Sequence, residues 1–226
     1  MSSTSTPATT PTTTTTSNRS LSGSATAQPP TAEDTSDARP ASSRHFTREE
    51  TNEAVQHLVS LGYDPASIWE QKVVWGDHDQ FGHVNNVRFV RWFESSRMFF
   101  SEQLMNQDHF TDQRRNEVLR GTGKSFILAN ISVRYRRPVV YPDTILIAQA
   151  CALPLSTDRF MLKAAAYSLK QKTIVALSDQ DCVTYDYTHL RKCDIPHDIR
   201  VALETVGSHD LASPPSSSSS TTKEKK

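Results

Sequence analysis

Cysteine is scarce, and the three present, Cys151, Cys182 and Cys193, form no C-x-x-C pair and leave an odd thiol in any disulfide scheme. That excludes a small fold stapled by disulfides and leads us to expect a reduced, intracellular compartment, cytoplasmic or mitochondrial. Excess charge of either sign is also missing: 25 Lys and Arg offset 25 Asp and Glu, interspersed, so no basic patch of nucleic-acid scale exists. No apolar run approaches the length of a membrane span or the core of a secretory signal. Large apolar residues are nearly absent from the first forty-odd positions, where Ser, Thr, Ala and Pro dominate, and from Ser213 onward. Such segments bury too little apolar surface to offset chain entropy.

What is left divides the chain simply. Residues 1–45 and 208–226 are expected to be disordered tails, 46–68 an N-terminal helix with its connection, and 69–207 one globular domain. The first tail is hydroxyl-rich and carries no acid before Glu33, which suits a mitochondrial transit peptide. Arg19 is its one basic residue before Arg39, and its prolines oppose an amphipathic helix, which favours a plain tail.

Thr47-Arg48-Glu49-Glu50 has capping-box spacing, and Ala54, Val55, Leu58 and Leu61 repeat at helical intervals up to Gly62. A strand is expected over Trp69 to Trp75. A helix of about four turns then follows the asparagines, with Val87, Val90, Phe93, Met98 and Phe99 apolar and Arg88, Arg91, Glu94 and Arg97 on its exposed side. Residues 106–123 read as a polar connection with room for one short helix. Four strand-like runs close the domain: Phe126 to Arg136, Thr144 to Leu153, Arg159 to Leu169 and Thr173 to Tyr187. In the first of these, strict alternation puts Ile127, Ala129, Ile131, Val133 and Tyr135 on one face. One strand, one long apolar helix and four consecutive strands predict an α+β domain, an antiparallel sheet wrapped on a central helix.

Chemistry concentrates in Val73 to Arg97, between that first strand and that helix. Asp77, His78, Asp79 and His83 sit in one loop, and Asn85 and Asn86 offer helix N-caps. A carboxylate beside helix-start amides suits chemistry on a carbonyl, whose developing negative charge those amides stabilise. Asp79 can act there as nucleophile or general base, with His83 supporting and an amide near Asn86 donating to the oxyanion. The residues alone leave a second role open, in which Asp77 or Asp79 only organises the loop. Crowded in a single loop with no second cluster, these side chains are a poor metal site, and none is expected.

The segment W-G-D-H-D-Q-F-G-H-V-N-N-V-R-F, Trp75 to Phe89, with W-F-E-S-S-R from Trp92 to Arg97, resembles hotdog-fold acyl-CoA thioesterases of the 4-hydroxybenzoyl-CoA thioesterase type. It is also similar to the D-x-D-x-x-x-H-V-N-N segment of plant acyl-ACP thioesterases. The resemblance covers roughly Trp69 to Tyr187 and implies a hotdog fold, assembly as a homodimer or homotetramer with sites at the subunit interface, and hydrolysis of an acyl-CoA to free acid and CoA. No cofactor is implied beyond the coenzyme A of the substrate. It selects Asp79 over Asp77 as catalytic, places the acyl-ACP enzymes' histidine on His83 and sets the carbonyl-polarising amide near Asn86. Where this chain has Asn86, some bacterial relatives have His and the benzoyl-type enzyme Tyr, and the plant enzymes have Asn in place of Phe81. Lys124, Arg134, Arg136 and Arg137 are the cations available for the phosphates of CoA. Two competing readings remain: an acyl-binding or assembly module without turnover, and a hotdog hydratase. The latter's D-x-N-P-x-H pattern is absent, since Asp79 and His83 lie four apart with no Pro between.

Overall fold

A computed structural model describes residues 46–209 and 211. The tail and transit-peptide expectations for 1–45, and the C-terminal tail for 210 and 212–226, lie outside the described residues. Among the described residues no helix is long and apolar enough to cross a membrane.

Helix α1 (Arg48–Ser60) starts on the capping box, with the Glu50 amide donating to Thr47 Oγ1 at 3.1 Å and the Thr47 amide to Glu50 Oε2 at 2.9 Å. Strand β1 (Trp69–Val73) is shorter than the expected Trp69 to Trp75, because the chain tightens into a 3-10 turn over Trp75–Asp77. Helix α2 (Asn86–Met105) is twenty residues long, longer than the four turns expected. Helix α3 (Asp112–Arg120) fills the polar connection and ends at Gly121 in the left-handed region, φ 62°. Strands β2 (Lys124–Tyr135), β3 (Asp143–Ala152), β4 (Arg159–Ser168) and β5 (Thr173–Asp186) follow, then a two-residue β6 (Arg191–Lys192) and helix α4 (His197–Val206). The sequence reading did not identify α4, although Ile199, Ala202 and Leu203 bury at helical spacing.

The strands form one antiparallel sheet ordered β1-β3-β4-β5-β2, with β6 added to β5. The period of two decides what each face covers. Along β3, Ile145, Ile147 and Cys151 pack in the clusters built around α2, whereas Leu146, Ala148 and Ala150 pack with Ala54 and Leu58 of α1. The same split on β4 sends Ala164 and Ala166 to α2 and Ala165 and Tyr167 to α1. The sheet therefore has a helix on each face, with α2 the central one.

Two expectations about faces are corrected. Arg97 is not on the exposed side of α2: it is 8% exposed, in line with Phe93, Phe100 and Leu104. Val87, Val90 and Met98 instead face outward, 71%, 37% and 45% exposed. The buried arc of α2 is set by its large aromatics with Leu104 and Met105, and Val87, Val90 and Met98 fall outside it. On β2, the register against β5 shifts between Leu128 and Asn130, a bulge at Ala129. Phe126 and Leu128 consequently pack with the cluster around Phe100, while Ile131 and Val133 pack with the one around Phe93. Ile127 and Ala129 are exposed and do not share the face of Ile131.

If α1 is an integral part of the core, Leu58→Ala, at a fully buried position, should cost ~2–5 kcal/mol in urea denaturation. Gln56→Ala, on the exposed side of the same helix, should shift stability by less than ~0.5 kcal/mol. Equal effects would mean that α1 docks without joining the cooperative unit.

Candidate active site

The loop between β1 and α2 is built from the backbone inward. Asp77 is 5% exposed, and its Oδ2 accepts from the Val74 amide at 2.9 Å. Its Oδ1 lies 3.4 Å from Arg88 Nε, and its carbonyl accepts the Asn85 amide at 2.9 Å. Arg88 also donates through Nη2 to the Gly76 carbonyl at 3.2 Å. Asp77 thus ties the 3-10 turn to the start of α2, and its carboxylate is taken up by the loop itself. His78 has a similar structural role: its Nε2 accepts the Tyr141 amide at 2.8 Å, which requires that nitrogen to be unprotonated.

Residues 79–83 close on themselves. The Asp79 amide donates to the His83 carbonyl at 3.0 Å, and the Gly82 amide to the Asp79 carbonyl at 3.1 Å. Gly82 turns the chain at φ 78°, where a side chain would be strained. Asp79 Oδ1 accepts the Phe81 amide at 2.8 Å, and its Oδ2 has no hydrogen-bond partner among the described residues. His83 Nδ1 lies 4.0 Å from Asp79 Oδ1, an electrostatic neighbour beyond hydrogen-bond range. Their side chains are 40% and 20% exposed, respectively.

At the helix start the two asparagines take different parts. Asn85 is the N-cap, its Oδ1 accepting the Val87 amide at 2.9 Å. Asn86 is the first helical residue, and its own N–H has no acceptor among the described residues. Such a free N–H at a helix N-terminus is a ready donor to negative charge. The Asn86 carbonyl is held from the far side by the Tyr135 hydroxyl, which donates at 2.9 Å. The Tyr135 ring stands edge-on to Phe89 at 5.6 Å, and burial pushes its hydroxyl pKa up, keeping it protonated.

Beside this helix start lies an open cleft of about 350 Å³ whose wall includes His83, Asn86, Phe89, Tyr135, Arg136 and Arg137. The structure therefore brings His83 and Asn86 together on one cleft. Asp79 is not in that wall; its Oδ1 lies 4.0 Å from His83 Nδ1. Of the four cations nominated for phosphate, Arg136 and Arg137 reach the cleft. Arg134 is instead 3.5 Å from Asp179, and Lys124 begins β2 at its opposite end. Tyr135 was the site residue missed from sequence. As one member of an alternating strand it carried no mark, and only the pairing of the end of β2 with the start of α2 reveals it.

The buried thiols have no place in such chemistry. Burial pushes Cys151 and Cys182 each up to about 12, so neither supplies a thiolate near neutral pH.

Known proteins bear directly on this arrangement. Residues 73–203 match the family described as the thioesterase-like superfamily. A 69-residue segment is 32% identical to the long-chain acyl-CoA thioesterase FadM of Escherichia coli strain K12, covering 30% of this chain and 46% of that enzyme. The aligned part thus spans less than half the length of that relative. Among solved structures, YbaW of Escherichia coli superposes with a TM-score of 0.51 at 23% identity, over 62% of this chain and 98% of that one. The PA5185 protein of Pseudomonas aeruginosa does so with a TM-score of 0.51 at 22% identity, over 62% and 91%. With the family match covering more than half of its length, this chain belongs to the thioesterase-like superfamily, and its antiparallel sheet wrapped on α2 is the hotdog fold.

Proposed function

We propose that the protein hydrolyses an acyl-CoA thioester to the free acid and CoA, with no cofactor beyond the coenzyme A carried by the substrate. The observation that carries this reading is the unpaired Asn86 N–H at the start of α2, lining a cleft with His83 while the Asp79 carboxylate stands next to it. The thioester carbonyl oxygen accepts from that amide, and the positive end of the helix stabilises the charge that develops there. With its carboxylate 4.0 Å from His83, which lines the cleft, Asp79 acts as a general base on a water held between it and the carbonyl carbon. Asp79 Oδ2 takes the proton of a water as its oxygen bonds to the carbonyl carbon. Collapse of the tetrahedral intermediate then breaks the C–S bond and releases CoA as thiolate. His83 orients the water or shares its proton.

Arg136 and Arg137, on the same cleft, are placed for the phosphates of CoA. A second copy of the chain would cover the exposed Val87, Val90 and Met98 on α2 and pair with the free edge of β2. We therefore propose a homodimer. A FadM-like long-chain substrate is one member of the panel to be tried, and three free cysteines suit a reducing compartment.

Assayed by thiol release from acyl-CoAs of graded length, Asp79→Asn should lose activity by ~10²-fold or more while keeping its circular dichroism. His83→Ala should lose less. Wild type and Asp79→Asn releasing thiol equally slowly would leave an acyl-binding module, and action on enoyl-CoA without thiol release would leave a hydratase. Replacing Arg136 and Arg137 together with Ala should raise KM for acyl-CoA with little change in kcat. The same double variant should treat an acyl-pantetheine, which lacks the nucleotide, as wild type does. Equal losses on both substrates would remove the arginines from phosphate recognition.

A further inference from the structure

The direction of the Asn86 N–H is set by the two peptide groups that meet at Asn86. The peptide joining Asn85 to Asn86, which carries that N–H, is held through its oxygen: the Asn85 carbonyl accepts the Arg88 amide at 2.9 Å. The next peptide, joining Asn86 to Val87, is held at both ends. Its N–H donates to Asn85 Oδ1 at 2.9 Å, and its carbonyl accepts the Tyr135 hydroxyl at 2.9 Å.

These bonds differ in what they anchor to. Asn85 and Arg88 belong to the same turn of chain as Asn86, so their bonds travel with the helix start wherever it goes. Tyr135 lies 49 residues on, at the end of β2, and ties the turn to the sheet. The strand is itself fixed there, since Tyr135 pairs with Ala176 of β5 and the Arg136 amide donates to the Val175 carbonyl at 2.8 Å. The tyrosine ring stands edge-on to Phe89, which is 3% exposed and belongs to the core of α2. Helix ends fray, and a donor on a fraying turn points in many directions. An oxyanion donor lowers a barrier to the extent that it is aimed before the charge develops.

We propose that Tyr135 is a positioning residue for thioester hydrolysis, acting through Asn86 by holding the helix start so that its free N–H is aimed at the reacting carbonyl oxygen. This inference rests on the thioesterase reading. The hydroxyl is committed to the Asn86 carbonyl, so Tyr135 is not assigned a proton transfer or a contact with the reacting atoms. A purely structural role would need the ring alone, because the packing on Phe89 involves no hydroxyl.

Thiol release by the full chain from acyl-CoA, with Tyr135→Phe and Tyr135→Ala, separates ring from hydroxyl. Tyr135→Phe keeps the ring and should lower kcat by about tenfold or more, with KM within about twofold of wild type. Tyr135→Ala should lower kcat to a similar degree. In the Asp79→Asn background, the infrared band of an isotope-labelled thioester carbonyl should move to higher frequency when Tyr135→Phe is added, because a misaimed N–H polarises the carbonyl less. Wild-type kcat in Tyr135→Phe would assign the position to ring packing and overturn the proposal. A loss confined to KM, an unmoved carbonyl band, or a kcat loss that follows a changed oligomer size in gel filtration would each overturn it too. A wild type that releases no thiol from any acyl-CoA would instead remove the thioesterase reading, and this inference with it.

Discussion

Burial of α2 against the sheet is the constraint on which everything else rests. Phe89, Trp92, Phe93, Phe100 and Leu104 fix the helix in rotation and in translation, because large rings leave close-packed interiors few alternatives. Once the helix is fixed, so is the position of its first free N–H. The same packing turns Arg97 inward and Val87 and Val90 outward. A helix held by a thinner stripe of small residues could roll, and its N-terminus would roll with it.

The loop in front of α2 shows how two similar aspartates acquire different work. Asp77 is enclosed by the Val74 amide and Arg88. Asp79, two residues on, gives one oxygen to a turn and leaves the other without a protein partner among the described residues. The difference is one of backbone curvature: the 3-10 turn draws Asp77 in, and the Gly82 reversal holds Asp79 at the edge. Tyr135 completes the frame by pinning the Asn86 carbonyl from β2, so the helix start is held both from the loop before it and from β2.

Much of this was legible from residues alone, for stated reasons. The order of one strand, one long helix and four strands follows from period and turn signals, which are local. The loop motif is also local, so Asp79, His83 and Asn86 stood out together. Arg97 did not, because its charge outweighed its position. Phe93, Arg97, Phe100 and Leu104 recur at intervals of four, three and four, the spacing of a buried seam, yet an arginine there is read as solvent-facing. The 4.0 Å gap between Asp79 and His83, and the absence of Asp79 from the cleft wall, depend on side-chain geometry that spacing does not carry. The bulge at Ala129 was equally silent, since the letters alternate through it without a break.

That bulge has a consequence for how the protein can change over generations. By slipping the register once, it turns both ends of one strand toward α2, with Phe126 and Leu128 at a cleft between α2 and α3 and Tyr135 at the cleft by the helix start. Without the slip, strict alternation would put Phe126 and Leu128 on the opposite face from Tyr135. A one-residue deletion at Ala129 would therefore cost one cleft or the other, whereas a substitution at either end of the strand acts at its own cleft.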